Sequence, residues 1–385
     1  MKKRIFLIVC VILISICFVF VNITTAKADD LSDSIQNQID NIDFSEFKEY
    51  LDGIDTFSDK DFFSYLSDMI KGEYNVNFSS IGDYLLKTLL SKVYELLPVF
   101  ISVIAIAVFC GLINGVKGNL LSDRTSDIIF FVCFLSIILI LSGTVFSLFQ
   151  ETKIVIENIS KLNEIMSPII LTLMVASGGK VSAGVYKPVV SLLSGGIINL
   201  ILYVIFPLVI IMTIFHVLSN FSSSIKFKKF SQFISSLIKW IIGISVTVFS
   251  FFMTAQGITS ASIDGISLRA TKYAISNSIP LIGGFLKDGF DIVIAGSVLI
   301  KNAVGIIGLF SLFFIVLSPV ITIAVVSLLF KLVASLTEPI CDIRISDFCT
   351  SISSGITYLV VCILMVGFMF FISVLLMIFS ANAFI

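Results

Sequence analysis

Long apolar stretches alternate with short polar ones along most of the chain, and this alternation predicts a bundle of membrane-spanning helices. A transmembrane helix needs roughly 20 apolar residues to cross a hydrocarbon core of about 30 Å. Six stretches satisfy this requirement: residues 96–116, 128–149, 197–218, 237–254, 309–330 and 357–380. The sequence therefore predicts an all-α, polytopic transmembrane protein with six full spans.

Two further apolar regions are each interrupted by a polar break, which a spanning helix does not contain. They divide into the short pieces 166–178 with 181–194, and 278–286 with 292–306. Two half-length helices that meet at a Gly-rich or charged turn form a re-entrant hairpin, whose non-helical backbone must be buried in protein or line a water-filled cavity. We therefore predict two re-entrant hairpins. Their tips are Ser177, Gly178, Gly179 and Lys180 in the first, and Lys287, Asp288 and Gly289 in the second.

The two interrupted regions match each other at a fixed offset of 112 residues. Four of the seven prolines form two of the matched pairs, and glycines share the register. The pairs include Pro168 with Pro280, Gly184 with Gly296, Gly196 with Gly308, and Pro207 with Pro319. Fixed-period self-similarity of this kind indicates an internal duplication. It divides the membrane region into repeat 1 at residues 128–236 and repeat 2 at residues 237–356.

The N-terminus has the pattern of a secretory signal peptide. Three basic residues precede an apolar stretch at 5–21, and Ala26-Lys27-Ala28 has the small-x-small form of a cleavage site. Cleavage after Ala28 would remove residues 1–28. The alternative is an uncleaved first membrane anchor, and in either case the following residues are exported.

The exported segment, residues 29–94, contains 14 acidic residues and 5 lysines, a net charge of −9. Its short amphipathic patterns predict a small helical domain, and it has no cysteine to form a disulfide. Residues 95–127 then supply the first span and a cytoplasmic loop, and residues 357–385 supply the last span and an external C-terminus. Lysines 226, 228 and 229 fit a cytoplasmic loop between spans.

Composition agrees with a membrane protein and argues against an enzyme. The chain is 57% hydrophobic and 13% charged, with a mean hydropathy of +1.09. "GGKVS" is not a phosphate-binding loop, because Met174 and Val181 occupy positions that require Gly and Ser or Thr. The single histidine, His216, has no suitable partner in the sequence for protease chemistry. We expect no metal, no cofactor and no nucleic-acid binding.

The repeated, interrupted helices favour a transport pathway, because transporter sites form where discontinuous repeated helices meet. The spans contain almost no ionisable residues, which argues against ion-coupled transport. The alternative is architectural, because small residues at 176–184 and 295–296 permit close helix packing. The sequence leaves both interpretations open. It also leaves open whether Asp264, Arg269 and Lys301 form a polar cluster, or whether Asp264 and Arg269 only pair locally.

Four polar-rich stretches resemble the stage III sporulation protein AE family of endospore-forming bacteria. They are "ASGGKVSAG" (176–184), "QGITSASIDGISLRATK" (256–272), "SIPLIGG" (278–284) and "SVLIKNAVGIIG" (297–308), and the likeness runs from about residue 85 to about residue 375. In residues 29–94 only the general character matches.

The resemblance implies a permease-like membrane subunit of the channel or secretion complex that connects mother cell and forespore. It implies as partners the other stage III sporulation A-group membrane proteins and stage II sporulation protein Q. It places the chain in the mother-cell membrane around the forespore, with residues 29–94 in the intermembrane space. Self-association is left open, and the alternative function is a stand-alone permease for a small solute.

Overall fold

The structure is a computed structural model that describes residues 39, 42–52, 64, 66–67, 78–115, 123–221, 227–278 and 283–382. These residues are almost entirely helical, with no strand among them. We number the helices α1 (Ser45–Asp52), α2 (Phe78–Gly115), α3 (Asp123–Ala176), α4 (Lys180–Ser191), α5 (Phe206–Phe221), α6 (Lys228–Ser278), α7 (Gly283–Thr337) and α8 (Ile343–Asn382). The predicted signal peptide, with Ala26 and Ala28, lies outside the described residues.

Among the residues that the structure describes, six helical runs are long and apolar enough to cross a membrane, which confirms the all-α prediction with six apolar helices. They are Gly82–Ile113, Ile128–Ala176, Lys180–Ser219, Lys229–Ala255, Lys287–Thr337 and Ile343–Ser380. Each includes most of one predicted span. Several are far longer than a bilayer requires: α3 has 54 residues and α7 has 55. At 1.5 Å per residue each is about 80 Å long, against a hydrocarbon core of about 30 Å.

The interrupted regions fold differently from the prediction. Residues 166–176 continue α3 without a break from the predicted span 128–149, so they are not a separate half-length helix. After a turn at 177–179 the chain continues through α4 to α5. Two π-helical stretches, Leu192–Ile197 and Ile201–Ile205, lie between them. The backbone keeps helical dihedrals there, so the run from Lys180 to Phe221 is continuous in direction.

The predicted tip of the second hairpin is wrong. Lys287, Asp288 and Gly289 lie inside α7, which begins at Gly283 and runs unbroken to Thr337. In the 112-residue register, residues 177–179 correspond to 289–291, which are helical. The first region turns because Gly178 adopts a left-handed conformation with φ of 90°. Gly289 has neighbours that continue a helix, and a single exposed glycine does not break a long one.

Helix α8 is the centre of the bundle and packs against α3, α5, α6 and α7. Its Ser353 shares a buried hydrogen bond of 2.9 Å with Ser327 of α7. Its Phe348 ring meets Phe134 of α3 edge-on, with the ring centroids 5.4 Å apart. Gly355 allows α5 to approach closely, since a Cβ there would lie 2.8 Å from the Thr213 hydroxyl. Close packing through small residues is typical of membrane helices.

Helix α1 of the predicted exported domain lies against α3. Asp43 caps its first turn, because one carboxylate oxygen accepts hydrogen bonds from the Ser45 amide and hydroxyl. Phe47 is buried, and the Tyr50 hydroxyl donates to the Asn158 carbonyl at 2.9 Å. Burial raises the pKa of Tyr50 to about 12. The predicted exported segment therefore contacts α3 nine residues beyond the predicted span 128–149.

Candidate functional site

The chain reverses direction at Ser177-Gly178-Gly179, between α3 and α4. The Gly179 amide donates to the Met174 carbonyl at 2.8 Å and the Gly178 amide to the Val175 carbonyl at 3.0 Å, so the turn closes on the end of α3. Ser177 is buried, and its hydroxyl donates to the same Met174 carbonyl at 2.9 Å. Gly178 has a φ of 90°, a conformation that glycine adopts without steric cost.

A buried carboxylate from α6 caps the first turn of α4. One Asp264 carboxylate oxygen accepts a hydrogen bond from the Val181 amide, and the other accepts one from the Ser182 amide, each at 2.8 Å. The side chain is 1% exposed. The first amides of a helix have no partner within the helix, and they carry the positive end of its dipole. The N-cap residue, Gly179, has no side chain to satisfy them, so Asp264 does this from a distant part of the sequence.

The same face of α6 also packs on the turn itself. Leu268, one helical turn after Asp264, lies beside Gly178: a Cβ on this glycine would be 2.9 Å from its Cδ1 atom. A Cβ on Gly179 would be 3.0 Å from the Met174 carbonyl oxygen. The polar stretches 176–184 and 256–272 therefore contact each other here. We call this contact the hairpin latch, and it consists of Gly178, Val181, Ser182, Asp264 and Leu268.

The three residues that the sequence suggested as a polar cluster have different surroundings in the structure. The Asp264 carboxylate accepts hydrogen bonds from two amides of α4, and Arg269 is exposed on α6. Lys301 is fully buried in α7, where its ammonium donates to the Ile378 carbonyl of α8 at 2.7 Å. A lysine near the end of α8 complements the negative end of that helix dipole. Asp264 and Lys301 thus stabilise different helix ends.

The second region has an ion pair beside its helix connection. The Lys272 ammonium of α6 lies 2.5 Å from a carboxylate oxygen of Asp291 of α7. Lys287, Asp288 and Gly289 are exposed on the first turns of α7. This end of the α6–α7 pair lies beside the latch, because Asp264 and Lys272 are two turns apart on α6.

The glycines in and next to the interrupted regions have two kinds of surroundings. A Cβ on Gly308 would lie 2.0 Å from the Met166 sulfur, and one on Gly305 would lie 2.4 Å from Ile378. These two glycines serve helix packing. A Cβ on Gly184 would meet no atom within 4 Å. Gly184 instead lines a groove of about 700 Å³ between α3 and α4, together with Glu164, Lys180 and Lys187.

Sequence reasoning missed the partner of Asp264 because the two stretches are 83 residues apart and show no shared pattern. The only signal was local: both stretches are polar and rich in small residues within an apolar chain. The contact of α1 with α3 also had no sequence signal. In the part of the chain that the structure describes, no group of three His, Cys, Asp or Glu side chains could hold a metal ion. The arrangement at the latch fixes a backbone turn.

Comparison with known proteins identifies a family. Residues 60–381 match the family model described as Stage III sporulation protein AE. The chain is 26% identical over 334 residues to the Stage III sporulation protein AE of Bacillus subtilis (strain 168). That alignment covers 87% of this chain and 79% of the relative. No solved structure matches the chain significantly.

Proposed function

Because the chain belongs to the stage III sporulation protein AE family, we propose that it is a permease-like membrane subunit of the channel complex that connects mother cell and forespore. The observation that carries the proposal is the length of the helices. After the predicted span 128–149, α3 continues for 27 residues, about 40 Å. Before the predicted span 309–330, α7 extends over 26 residues, which is also about 40 Å.

These extensions replace the re-entrant hairpins of the sequence interpretation. An unbroken helix that leaves the bilayer near residue 149 does not fold back into it before residue 176. The hairpin of α3 and α4 and the adjoining ends of α6 and α7 therefore extend the bundle on one side of the membrane. A projection of this length suits a subunit that must meet partners in the space between two membranes.

The contact of α1 with α3 supports an orientation for the extension. If residues 29–94 are exported, the Tyr50 contact with Asn158 supports placing residues 150–176 on the same side. This agrees with a mother-cell membrane location in which α1 and both hairpins face the intermembrane space. The partners would be the other stage III A-group membrane proteins and stage II sporulation protein Q, which meet this projecting end.

The proposal includes an internal duplication. Each half of the membrane region has two long helical runs joined at the latch end: α3 with α4–α5, and α6 with α7. Pro207 and Pro319 both lie within the second run of their half. The halves differ in where the chain turns, which accounts for the misplaced second tip.

A subunit explains the centre of the bundle better than a stand-alone permease does. Helix α8 fills the middle with buried side chains such as Phe370 and Met369 and with the Ser327–Ser353 hydrogen bond. Because the centre of the bundle is packed with side chains, a transport pathway would run between subunits and not through one chain. No catalytic step is part of this proposal.

Copurification and reconstitution together test the proposal. We expect the tagged chain, solubilised from sporulating cells, to retain stage III A-group proteins identified by mass. We expect liposomes that contain the chain alone to show no uptake of small solutes above protein-free liposomes. A chain that purifies without these partners and moves solute by itself would be the stand-alone permease instead.

A further inference from the structure

A groove of about 810 Å³ runs along the surface of the bundle between α3, α5 and α8. On α3 it extends from Ile138 to Lys153, about 22 Å along the helix axis. Most of this length falls within the predicted span 128–149. The groove therefore opens toward the hydrocarbon core of the membrane.

The wall of the groove is apolar. Phe149 and Phe206 form part of it, with their rings edge-on at 5.5 Å. Its two hydroxyl groups are used within their own helices: Ser142 donates to the Leu139 carbonyl and Thr213 to the Val209 carbonyl, each at 2.8 Å. A wall of this kind accommodates a hydrocarbon chain.

The amide and the charged side chain of the groove, Gln150 and Lys153, lie at one end. Gln150 and Lys153 follow directly after the predicted end of the span at residue 149, which is headgroup depth. Lys153 is 3.7 Å from Glu157, and both side chains are about half exposed. An exposed pair of this type is weak, so it leaves the ammonium able to bind a stronger anion.

From this gradient we infer that the groove binds one anionic phospholipid, with an acyl chain along the apolar wall and the phosphate at Lys153. One leaflet contributes about 15 Å of a hydrocarbon core of about 30 Å. A groove of about 22 Å thus has room for one chain and the glycerol-phosphate region. Lys153, which lines the groove at headgroup depth, selects a negative headgroup, because each basic residue near an anionic surface adds a favourable contact. The inference does not depend on the proposed channel function.

Native mass spectrometry of the full chain in mild detergent tests the inference, with phosphatidylglycerol and phosphatidylcholine offered in equal amounts. We expect one phosphatidylglycerol to be retained in preference to phosphatidylcholine. Lys153→Gln should reduce this preference by about fivefold, the effect of one basic residue near the headgroup. Gly143→Phe should abolish retention of both lipids. A Cβ on Gly143 would meet no atom within 4 Å, so the added ring fills the groove rather than displacing protein.

Matched variants separate the groove from the rest of the surface. Lys161→Gln removes an exposed lysine farther along α3, and Gly243→Phe adds a ring at an open glycine on α6. Both should retain phosphatidylglycerol as the unmodified chain does. Equal retention of the two lipids, or an equal loss with Lys161→Gln and Lys153→Gln, would overturn the inference. Lys153 is exposed, so its variant remains informative even if Gly143→Phe fails to fold.

Discussion

Replacing Asp264 with alanine is expected to destabilise the chain by about 2 to 3 kcal/mol and to reduce sporulation several-fold. The variant removes both acceptors of the Val181 and Ser182 amides. A buried donor left without a partner costs about 1 to 3 kcal/mol. The Val181 amide is only partly buried, so water satisfies some of the loss. The charge that complements the α4 dipole is lost as well.

Two measurements on the Asp264 variant check this result. The thermal unfolding midpoint in detergent should fall by about 3 °C. The number of heat-resistant spores should fall with it, because a change of this size lowers the amount of folded chain several-fold. Arg269→Ala is the control, since Arg269 lies on the same helix but is exposed. If Arg269→Ala were equally damaging, the local Asp264–Arg269 pair would be the better account.

Replacing Gly178 with valine is expected to cost about 3 kcal/mol and to disrupt function while the six long helices remain inserted. A left-handed conformation costs an L-residue about 1 to 2 kcal/mol, and more for a β-branched one. Valine would also crowd Leu268, whose Cδ1 atom would lie 2.9 Å from the new Cβ. Displacing a packed side chain adds about 1 to 3 kcal/mol.

A graded series at the turn makes the Gly178 prediction specific. Gly178→Asn should lose less stability than Gly178→Val, because asparagine tolerates left-handed conformations. Gly184→Val should be nearly neutral, since a Cβ there meets open space. Membrane insertion is scored by carbonate extraction and function by spore counts. Equal effects of valine at 178 and at 184 would mean that the turn conformation is unimportant.

The sequence carried enough information to predict the spans and the position of one turn. Hydropathy and length determine which segments cross a membrane, because only helices satisfy their backbone there. Ser177-Gly178-Gly179 stood out because its residue types match a turn. The polar residues at 287–289 also suggested a turn, but local composition does not decide whether a helix continues. The long-range contacts of Asp264 and Lys301 depend on tertiary packing. The spacing of residues in a single sequence does not show which distant segments pack together.

We expect the hairpin latch to lie outside the bilayer, on the same side as the predicted exported segment. Labelling with a membrane-impermeant thiol reagent in intact cells tests it most directly. Single cysteines at Lys180 and at Glu338 are compared in a background without native thiols, since both positions are exposed and lie at opposite ends of the bundle. The account predicts full labelling at 180 and none at 338 until the membrane is permeabilised. Protection at 180 with labelling at 338 would contradict it, as would a position 180 that stays unreactive after permeabilisation.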